Sequence, residues 1–229
     1  FASIQGQPGG PGEILRYSAH LDFTTAMCAC QAIIMALRAR EITGVGTKID
    51  LTMLGASITL QTTRIAEYIA TGASPQPMGS ANPTIVPSQA FKTLDGKYVS
   101  VSIPREEYWP KLCKALKIEH LEAEPRFETN AKRVEHRSEL IPILERIFAE
   151  YPTRWWLILL RRHDVPCGPC YKDYEQIYLD PHMQATQMVI DLETPWGKVK
   201  APGIPWEFSR TPAKIRPTPL PDANREEIL

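Results

Sequence analysis

Two cysteines with redox spacing, Cys167 and Cys170, enclose a Gly-Pro pair. Two thiols at this spacing exchange a disulfide when the first is acidified at the N-terminus of a helix. Such a pair is expected to follow a buried strand and to open a long helix. Here residues 161–164 end a predicted helix, and Val165 and Pro166 precede the first cysteine. The context therefore disfavours redox chemistry, which we keep as a minor alternative.

The other cysteines and the histidines form no metal or nucleophile pattern. Cys28 and Cys30 fall on opposite sides of a predicted helix, and no second Cys or His pair has zinc-finger spacing. The five histidines are scattered and match neither a metal site nor a catalytic triad. We predict no metal site. An odd count of five cysteines is typical of free thiols in a reducing cytoplasm.

A short segment of small residues, Gly79-Ser80-Ala81-Asn82-Pro83, is the best candidate for ligand binding. Such a segment can offer backbone N–H groups to an anion or close over a ligand, although most segments of this composition are plain loops. The sequence has neither a Gly-x-Gly-x-x-Gly after a strand nor a phosphate-binding Gly-Lys-Ser, so no nucleotide loop is assigned. The residues alone indicate a soluble α/β chain and no particular function.

The composition argues against several classes of protein. The 229 residues carry 26 basic and 26 acidic side chains, and this balance provides no field that would attract nucleic acid or an anionic membrane. A hydrophobic fraction of 43% is typical of a folded globule with a sizeable core. The longest apolar run, residues 26–37, is shorter than the ~20 residues that span a bilayer. We therefore expect a cytoplasmic protein without membrane insertion. Because the chain does not begin with Met, we expect it to be part of a longer gene product.

The N-terminal third is predicted to be mainly helical. A helix is predicted from Ser18 to Thr43, and Gly44 suits the left-handed position after its end. This helix is apolar nearly all round, so we expect it to be buried. Alternation over residues 47–53 predicts a strand, and a second helix is predicted over residues 54–70.

A proline-rich connector, residues 73–87, predicts a domain boundary, because each proline removes a backbone donor and restricts the preceding residue. Beyond it, Asp95-Gly96 between two β-prone runs predicts a hairpin. Further helices are predicted at 106–116, 138–151 with Ser138 as N-cap, 153–164 with Thr153 as N-cap, and 171–179. A second hairpin is predicted over residues 188–201, and the proline-rich tail from Pro202 is expected to lie on a surface supplied by something else.

A series of motifs follows the order found in a known family. They are Thr43 to Thr52, Gly79 to Pro83 with Pro87 and Phe91, Thr93-Leu94-Asp95-Gly96, Glu124 to Asn130 with Arg133 and Arg137, Val165-Pro166-Cys167-Gly168-Pro169, Asp180-Pro181, and Phe208-Ser209-Arg210-Thr211-Pro212. Each motif is weak alone, but together they extend across nearly the whole chain. The sequence resembles the family III coenzyme A transferases, a group that includes formyl-CoA and carnitine-type CoA transferases and also α-methylacyl-CoA racemase.

This resemblance implies an α/β fold, in which part of a Rossmann-like large domain joins a small α+β domain within an interlocked dimer. By resemblance, residues 1–72 belong to the large domain, 73–78 form a linker, 79–185 form the small domain, and 186–229 return to the large domain. It also accounts for the cysteine pair, since family members have a Pro-x-Gly-Pro loop there whose last partner need not be Cys.

The resemblance covers only the later part of the family pattern. The N-terminal half, which holds most of the coenzyme A contacts in the family, has no counterpart in these residues. The family's catalytic Asp is expected shortly before the point that matches Phe1. Asp22 resembles a different family position, on the helix after that Asp, so we assign no catalytic residue in this chain.

The implied activity is transfer of coenzyme A from an acyl-CoA to a free carboxylic acid. In the family, a carboxylate attacks the thioester to form a mixed anhydride, and the CoA thiolate then forms an enzyme-bound thioester. The family's glycine-rich loop corresponds to Gly79, Ser80, Ala81, Asn82 and Pro83, which we take as substrate-binding residues. No tightly bound cofactor is expected, because coenzyme A acts as a substrate.

Two alternatives stay open. An acyl-CoA racemase of the same fold needs an acid/base pair, but its carboxylate would fall near Arg105, a cation, although Glu106 and Glu107 are adjacent. The chain is also compatible with a non-catalytic subunit of a heteromeric CoA transferase. The resemblance favours a homodimeric transferase over both, with no nucleic-acid partner.

Overall fold

The computed structural model describes residues 6–8, 10, 19–213, 215–217, 219–220, 223 and 225. The helices are α1 His20–Thr43, α2 Met53–Leu60, α3 Thr62–Thr71, α4 Tyr108–Leu116, α5 Asn130–Glu135, α6 Arg137–Phe148, α7 Thr153–Arg162, α8 Tyr174–Tyr178 and α9 Pro181–Ala185, with a short 3-10 helix at Glu119–Leu121. The strands are β1 Ser88–Lys92, β2 Tyr98–Ser102, β3 Cys167–Cys170, β4 Val189–Thr194 and β5 Gly197–Pro202. The mixed α/β class is confirmed.

A three-stranded antiparallel sheet with the order β1-β2-β3 organises the middle of the chain. The predicted hairpin forms β1 and β2, with Phe91 opposite Val99. Gly96 adopts a φ of 71° in the turn, where a side chain would be strained. The third strand contains the Cys-Gly-Pro-Cys sequence, which the sequence pattern did not predict as a strand. Its proline is tolerated because β3 is at the edge of the sheet.

The hydrophobic core lies between this sheet and helices α4, α6 and α7. Helix α6 contributes Leu140, Leu144 and Phe148, which are fully buried and share one face because they are four residues apart. The Phe148 ring stacks on Phe91 of β1 with centroids 4.6 Å apart. All the members of this core lie between Val86 and Val165.

The Asp95 turn caps helix α7. Asp95 accepts hydrogen bonds from the backbone N–H of Thr153 at 3.2 Å and from its hydroxyl at 3.0 Å. The Thr93 hydroxyl also donates to this carboxylate, and these bonds lower the pKa of Asp95 to about 2. The prediction that Thr153 is the N-cap is therefore wrong. Thr153 is the first residue of α7, and the distant Asp95 turn caps this helix.

Helix α1 has no buried residue in this structure, although its sequence predicts burial. It ends as predicted at Gly44, whose φ is 74°, while the predicted start at Ser18 lies outside the described residues. Phe23 and Met35 are each 70% exposed. The expectation of burial is wrong for this chain, because α2 packs against α1 but leaves most of the helix surface exposed.

In length and composition, α1 would suffice to cross a membrane, and it is the one such helix in the described part of the chain. It is also the kind of helix that forms the core of a soluble protein, so this feature is weak support for a membrane span.

Three local expectations for the helical regions need correction. Residues 47–53 form no strand, because no neighbouring segment in the described chain supplies the hydrogen bonds that a strand needs. The predicted helix over 54–70 is divided into α2 and α3 at Gln61, whose ψ of 16° departs from helical geometry. Ser138 lies inside α6, and the position before the helix belongs to His136, because α5 leads directly into α6.

The C-terminal hairpin pairs β4 with β5, and Ile190 lies opposite Ala201. Asp180 caps α9 by accepting from the backbone N–H of His182 at 2.8 Å, with Pro181 in the first helical position. Trp196 at the hairpin turn is 82% exposed, and Trp206 in the tail is 62% exposed. These large apolar side chains have no cover in the described structure.

Candidate functional site

The predicted binding loop lines a cavity of about 840 Å³. Gly79, Ser80 and Ala81 form one wall, and helix α6 contributes another through residues that include Arg137. Gln89 of β1 and Tyr98 of β2 also line the space. Asn82 and Pro83 follow the wall but do not line the cavity, so the structure brings three of the five predicted residues to this space.

The loop is attached to its surroundings at several backbone positions. The N–H of Gly79 donates to the carbonyl of Gly6 at 2.9 Å, and the Asn82 N–H donates to the carbonyl of Ser88 at 2.8 Å. The Ser80 hydroxyl oxygen accepts from the N–H of Ala90 at 3.1 Å. Gly79 has a φ of 61°, a conformation that favours glycine. The loop therefore has a defined conformation in this structure.

Three side chains on α5 and α6 hold the segment that leaves the loop, and we call Asn130, Arg133 and Arg137 the clamp. The amide nitrogen of Asn130 donates to the carbonyl of Thr84 at 2.7 Å, and its amide oxygen accepts from the N–H of Val86 at 3.0 Å. These two bonds resemble strand pairing made by a side chain. They fix the backbone between the loop and β1.

Arg133 is the central member of the clamp and is 0% exposed. Its Nε donates to the carbonyl of Val86 at 2.8 Å, and its Nη1 donates to the carbonyl of Phe127 at 2.9 Å. Its Nη2 donates to Glu106 at 2.8 Å, and the guanidinium lies 4.8 Å from the centroid of the Trp109 ring. A charge buried this deeply is tolerated because each nitrogen has an acceptor.

Arg137 connects the clamp to the loop itself. Its Nη2 donates to the carbonyls of both Asn82 and Pro83. Its Nη1 is buried and has no hydrogen-bond partner. Burial lowers the pKa of this guanidinium. One terminal nitrogen of the guanidinium therefore fixes the loop, and the other is a donor without an acceptor.

Glu106 is bound into the same assembly. Its carboxylate accepts from the backbone N–H of Asn130 at 2.6 Å and from Arg133 at 2.8 Å. Partial burial acts to raise the pKa of Glu106, but the hydrogen bonds from Arg133 and Asn130 outweigh it, so the pKa is lowered. Its neighbour Glu107 pairs with Arg105 at 2.9 Å on the surface. Both carboxylates are thus engaged in ion pairs, Glu106 with the buried Arg133 and Glu107 with Arg105.

Cys167 and Cys170 are not arranged for disulfide exchange. They lie in a strand at an odd separation, so their side chains point to opposite faces. Cys170 lines the cavity, whereas Cys167 packs against the hydrophobic core. Burial raises the pKa of both thiols, which makes them poor nucleophiles.

No group of three or more His, Cys, Asp or Glu that could hold a metal ion occurs among the described residues. Asp22 lies in the first turn of α1, is exposed, and does not line the cavity. The structure thus leaves it apart from the loop.

The comparison with known families decides the relationship. The sequence pattern described as CoA-transferase family III matches residues 1–227. The chain belongs to this family.

Curated members with similar sequences are named as CoA transferases. Succinyl-CoA:glutarate CoA-transferase from Homo sapiens is 32% identical over 226 residues, which cover 98% of this chain and 50% of the human protein. Succinate–glutarate CoA-transferase from Agrobacterium fabrum is 29% identical over 232 residues, which cover 57% of its length. The chain therefore spans about half the length of the curated relatives that it matches.

Solved structures support the same family fold. A CAIB/BAIF family protein from Brucella suis matches with a TM-score of 0.76 and 29% identity, covering 99% of this chain and 58% of that protein. A structure from M. tuberculosis matches with a TM-score of 0.82 at 19% identity over 97% of this chain and 59% of that one, a likeness that shows the fold alone.

The three clamp residues were identified from the sequence as part of a motif but were assigned no structural role. The spacing of Asn130, Arg133 and Arg137, three and then four residues apart, is the signal that could have placed them on one face of a continuous helical segment. Their partners in residues 82–86, several carbonyls and the N–H of Val86, could not be inferred, because the pairing joins segments more than 40 residues apart.

Proposed function

We propose that the full-length protein transfers coenzyme A between an acyl-CoA thioester and a free carboxylic acid. The observation that carries this proposal is the loop of residues 79–83, fixed over a cavity by the clamp, in a chain that belongs to CoA-transferase family III. The named relatives act on succinyl-CoA and glutarate or on related acids, which supports the same class of donor and acceptor.

The proposed reaction passes through an enzyme carboxylate. That carboxylate attacks the donor thioester, the C–S bond breaks, and a mixed anhydride and CoA thiolate result. The thiolate attacks the enzyme carbonyl and releases the donor acid, leaving an enzyme-bound thioester. The acceptor carboxylate attacks this thioester to form a second anhydride, and the thiolate then takes the acceptor acyl group, which restores the enzyme carboxylate.

The contribution of the described residues is to exclude water and to position the ligand. An anhydride is hydrolysed readily, so a loop held in place beside the reacting group protects it. Gly79, Ser80 and Ala81 provide that wall, and the clamp holds it from behind.

Two carboxylates argue against the racemase alternative. A base that removes an α-proton works best with a pKa near the operating pH. The pKa of Glu106 is lowered, and the side chain is occupied by Arg133 and Asn130. Glu107 is paired with Arg105 on the surface. Neither carboxylate in this chain is therefore suited to that role.

The location of the nucleophile and the assembly complete the proposal. We place the reactive Asp before Phe1, as the family resemblance suggests. We also propose that the remainder of the large domain and a second copy of the chain cover helix α1. The exposure of Phe23 and Met35 supports such a cover. A reducing, cytoplasmic location fits the five free cysteines.

The test is a transfer assay on the full-length protein. Purified protein is mixed with succinyl-CoA and glutarate, and glutaryl-CoA is measured by chromatography. We expect glutaryl-CoA to form with release of succinate in equal amounts. Epimerisation of a chiral 2-methylacyl-CoA without transfer would favour the racemase, and neither activity without a related partner chain would favour the heteromeric subunit.

A further inference from the structure

Three neutral polar side chains on the walls of the cavity make no hydrogen bond to the described part of the chain. They are Gln89 of β1, Tyr98 of β2 and Ser138 of α6. Much of the remaining wall is apolar and includes Met78 and Ile141. An apolar space of about 840 Å³ on which a few polar groups converge is typical of a small-molecule site. The unpaired donors and acceptors therefore indicate a ligand that has polar groups of its own.

The described walls of the cavity present no free positive charge to a ligand. Arg137 is the one cation among the described lining residues, and its Nη2 donates to the carbonyls of Asn82 and Pro83. Its Nη1 is buried away from solvent. Glu145, the other charged lining residue, is an exposed anion. Phosphates and free carboxylates are therefore poorly matched to these walls, whereas an uncharged ligand is well matched.

The reactants of the proposed function contain one uncharged stretch with polar groups. The nucleotide end of coenzyme A carries phosphates, and the acids carry carboxylates. Between the nucleotide and the thiol lies the pantetheine arm, an uncharged chain with amide groups, a hydroxyl and methyl groups. Amides and hydroxyls both donate and accept hydrogen bonds, as do the side chains of glutamine, tyrosine and serine. The arm therefore matches the cavity in charge, in apolar surface and in hydrogen bonding.

We propose that this cavity holds the pantetheine arm of the donor acyl-CoA, and that Gln89 and Tyr98 form hydrogen bonds with its amides. The inference rests on the proposed function, in which an acyl-CoA is the donor. The arm ends at the sulfur that leaves, and Gly79, Ser80 and Ala81 form a wall of the same cavity. Gln89 and Tyr98 thus position the thioester beside the loop and take no part in bond formation.

The first test measures binding to the full-length protein by isothermal titration calorimetry. The probes are coenzyme A and 3′-phospho-ADP, which is the nucleotide half of coenzyme A without the arm. We expect Tyr98→Phe and Gln89→Leu each to weaken binding of coenzyme A about threefold to tenfold, the effect of one hydrogen bond between neutral groups. The affinity for 3′-phospho-ADP should stay unchanged in both variants. Unchanged affinity for coenzyme A, or an equal loss for both probes, would overturn the inference.

The matched control is Tyr174→Phe. Tyr174 lies on α8, is 88% exposed and does not line the cavity, so the same hydroxyl is removed at a distant place. We expect this variant to bind coenzyme A as the parent does. If Gln89→Leu does not fold, Tyr98→Phe decides the matter, because it removes only a hydroxyl from a ring that is 45% exposed.

A kinetic measurement separates this inference from the proposed function. Transfer from succinyl-CoA to glutarate is measured for the parent and for Tyr98→Phe, with each substrate varied in turn. We expect kcat/KM for succinyl-CoA to fall about threefold to tenfold. The value for glutarate should stay unchanged, because the arm is already bound when the acid enters.

The opposite pattern, a fall for glutarate alone, would place the acid in the cavity and overturn the inference. If no transfer occurs but Tyr98→Phe still weakens binding of coenzyme A, the proposed function is wrong and the binding site stands.

Discussion

Replacing Arg133 with methionine tests how far the clamp stabilises the hydrophobic core between Val86 and Val165. The variant Arg133→Met keeps a long side chain against Trp109 but removes the three hydrogen bonds of the guanidinium. Two of these end on the carbonyls of Val86 and Phe127, which are then left without this donor. The third ends on Glu106, whose side chain is 56% exposed and can turn to water.

The two carbonyl bonds determine the expected cost. A hydrogen bond from a charged group contributes about 1.5–3 kcal/mol, and breaking a buried charged contact costs about 3–5 kcal/mol. The exposed Glu106 adds little to this sum, so we expect Arg133→Met to lower the free energy of unfolding by about 3–5 kcal/mol. That is a large share of the roughly 5–15 kcal/mol by which folded domains are stable.

Guanidinium unfolding of the full-length protein, followed by tryptophan fluorescence, measures the change. Trp109 and Trp156 are buried in the same core and report its opening. Arg126→Met is the control, because Arg126 lies on the surface and contacts only Glu124 and Glu139 among carboxylates. We expect no measurable change there. If Arg133→Met unfolds at the same denaturant concentration as the control, the clamp has no stabilising role.

Three further perturbations have defined outcomes. Asp95→Asn weakens the cap of α7 and should lower the free energy of unfolding by about 1 kcal/mol at neutral pH. Because the pKa of Asp95 is lowered to about 2, the stabilisation by this carboxylate is complete above its ordinary pKa of 3.8 and is lost as the pH falls through 2. The unfolding curves of variant and parent should therefore converge in acid, and a difference that stays constant with pH would contradict this. Gly79→Val places a branched side chain at a φ of 61°, with its Cβ 3.4 Å from the amide oxygen of Gln7, and should lower turnover about tenfold with little change in CoA affinity. The control is Gly96→Val, which has a φ of 71° and no neighbour at its Cβ and should keep its turnover. Equal turnover of both variants would show that the loop has no part in the mechanism. Mild oxidation should leave Cys167 and Cys170 unlinked, as mass spectrometry of peptides under non-reducing conditions would show, whereas a disulfide between them would contradict the strand geometry.

Local patterns predicted the elements that local physics determines. The Asp95-Gly96 hairpin, the end of α1 at Gly44 and the apolar face of α6 all follow from turn chemistry and periodicity, and the structure confirms them. Composition singled out residues 79–83 as a candidate for ligand binding, and three of these five residues line the cavity.

Features that depend on distant partners could not be predicted. Strand β3 contains a Gly-Pro pair and few β-prone residues, and it pairs only because β2 offers an edge. Asp95 caps a helix 58 residues away, and Arg137 meets a loop more than 50 residues before it. Residues 47–53 have the alternation of a strand, but the described chain supplies no neighbour to pair with them.

The most direct test of carboxylate catalysis is a trapping experiment on the full-length protein. The enzyme is incubated with succinyl-CoA alone, treated with hydroxylamine, digested, and examined by mass spectrometry. We predict a hydroxamate on one aspartate that precedes Phe1, and none after incubation with free succinate. A hydroxamate at Asp22, absent in Asp22→Asn, would show that the nucleophile lies inside this chain and that its placement before Phe1 is wrong. Turnover without any trapped carboxylate would contradict covalent catalysis itself.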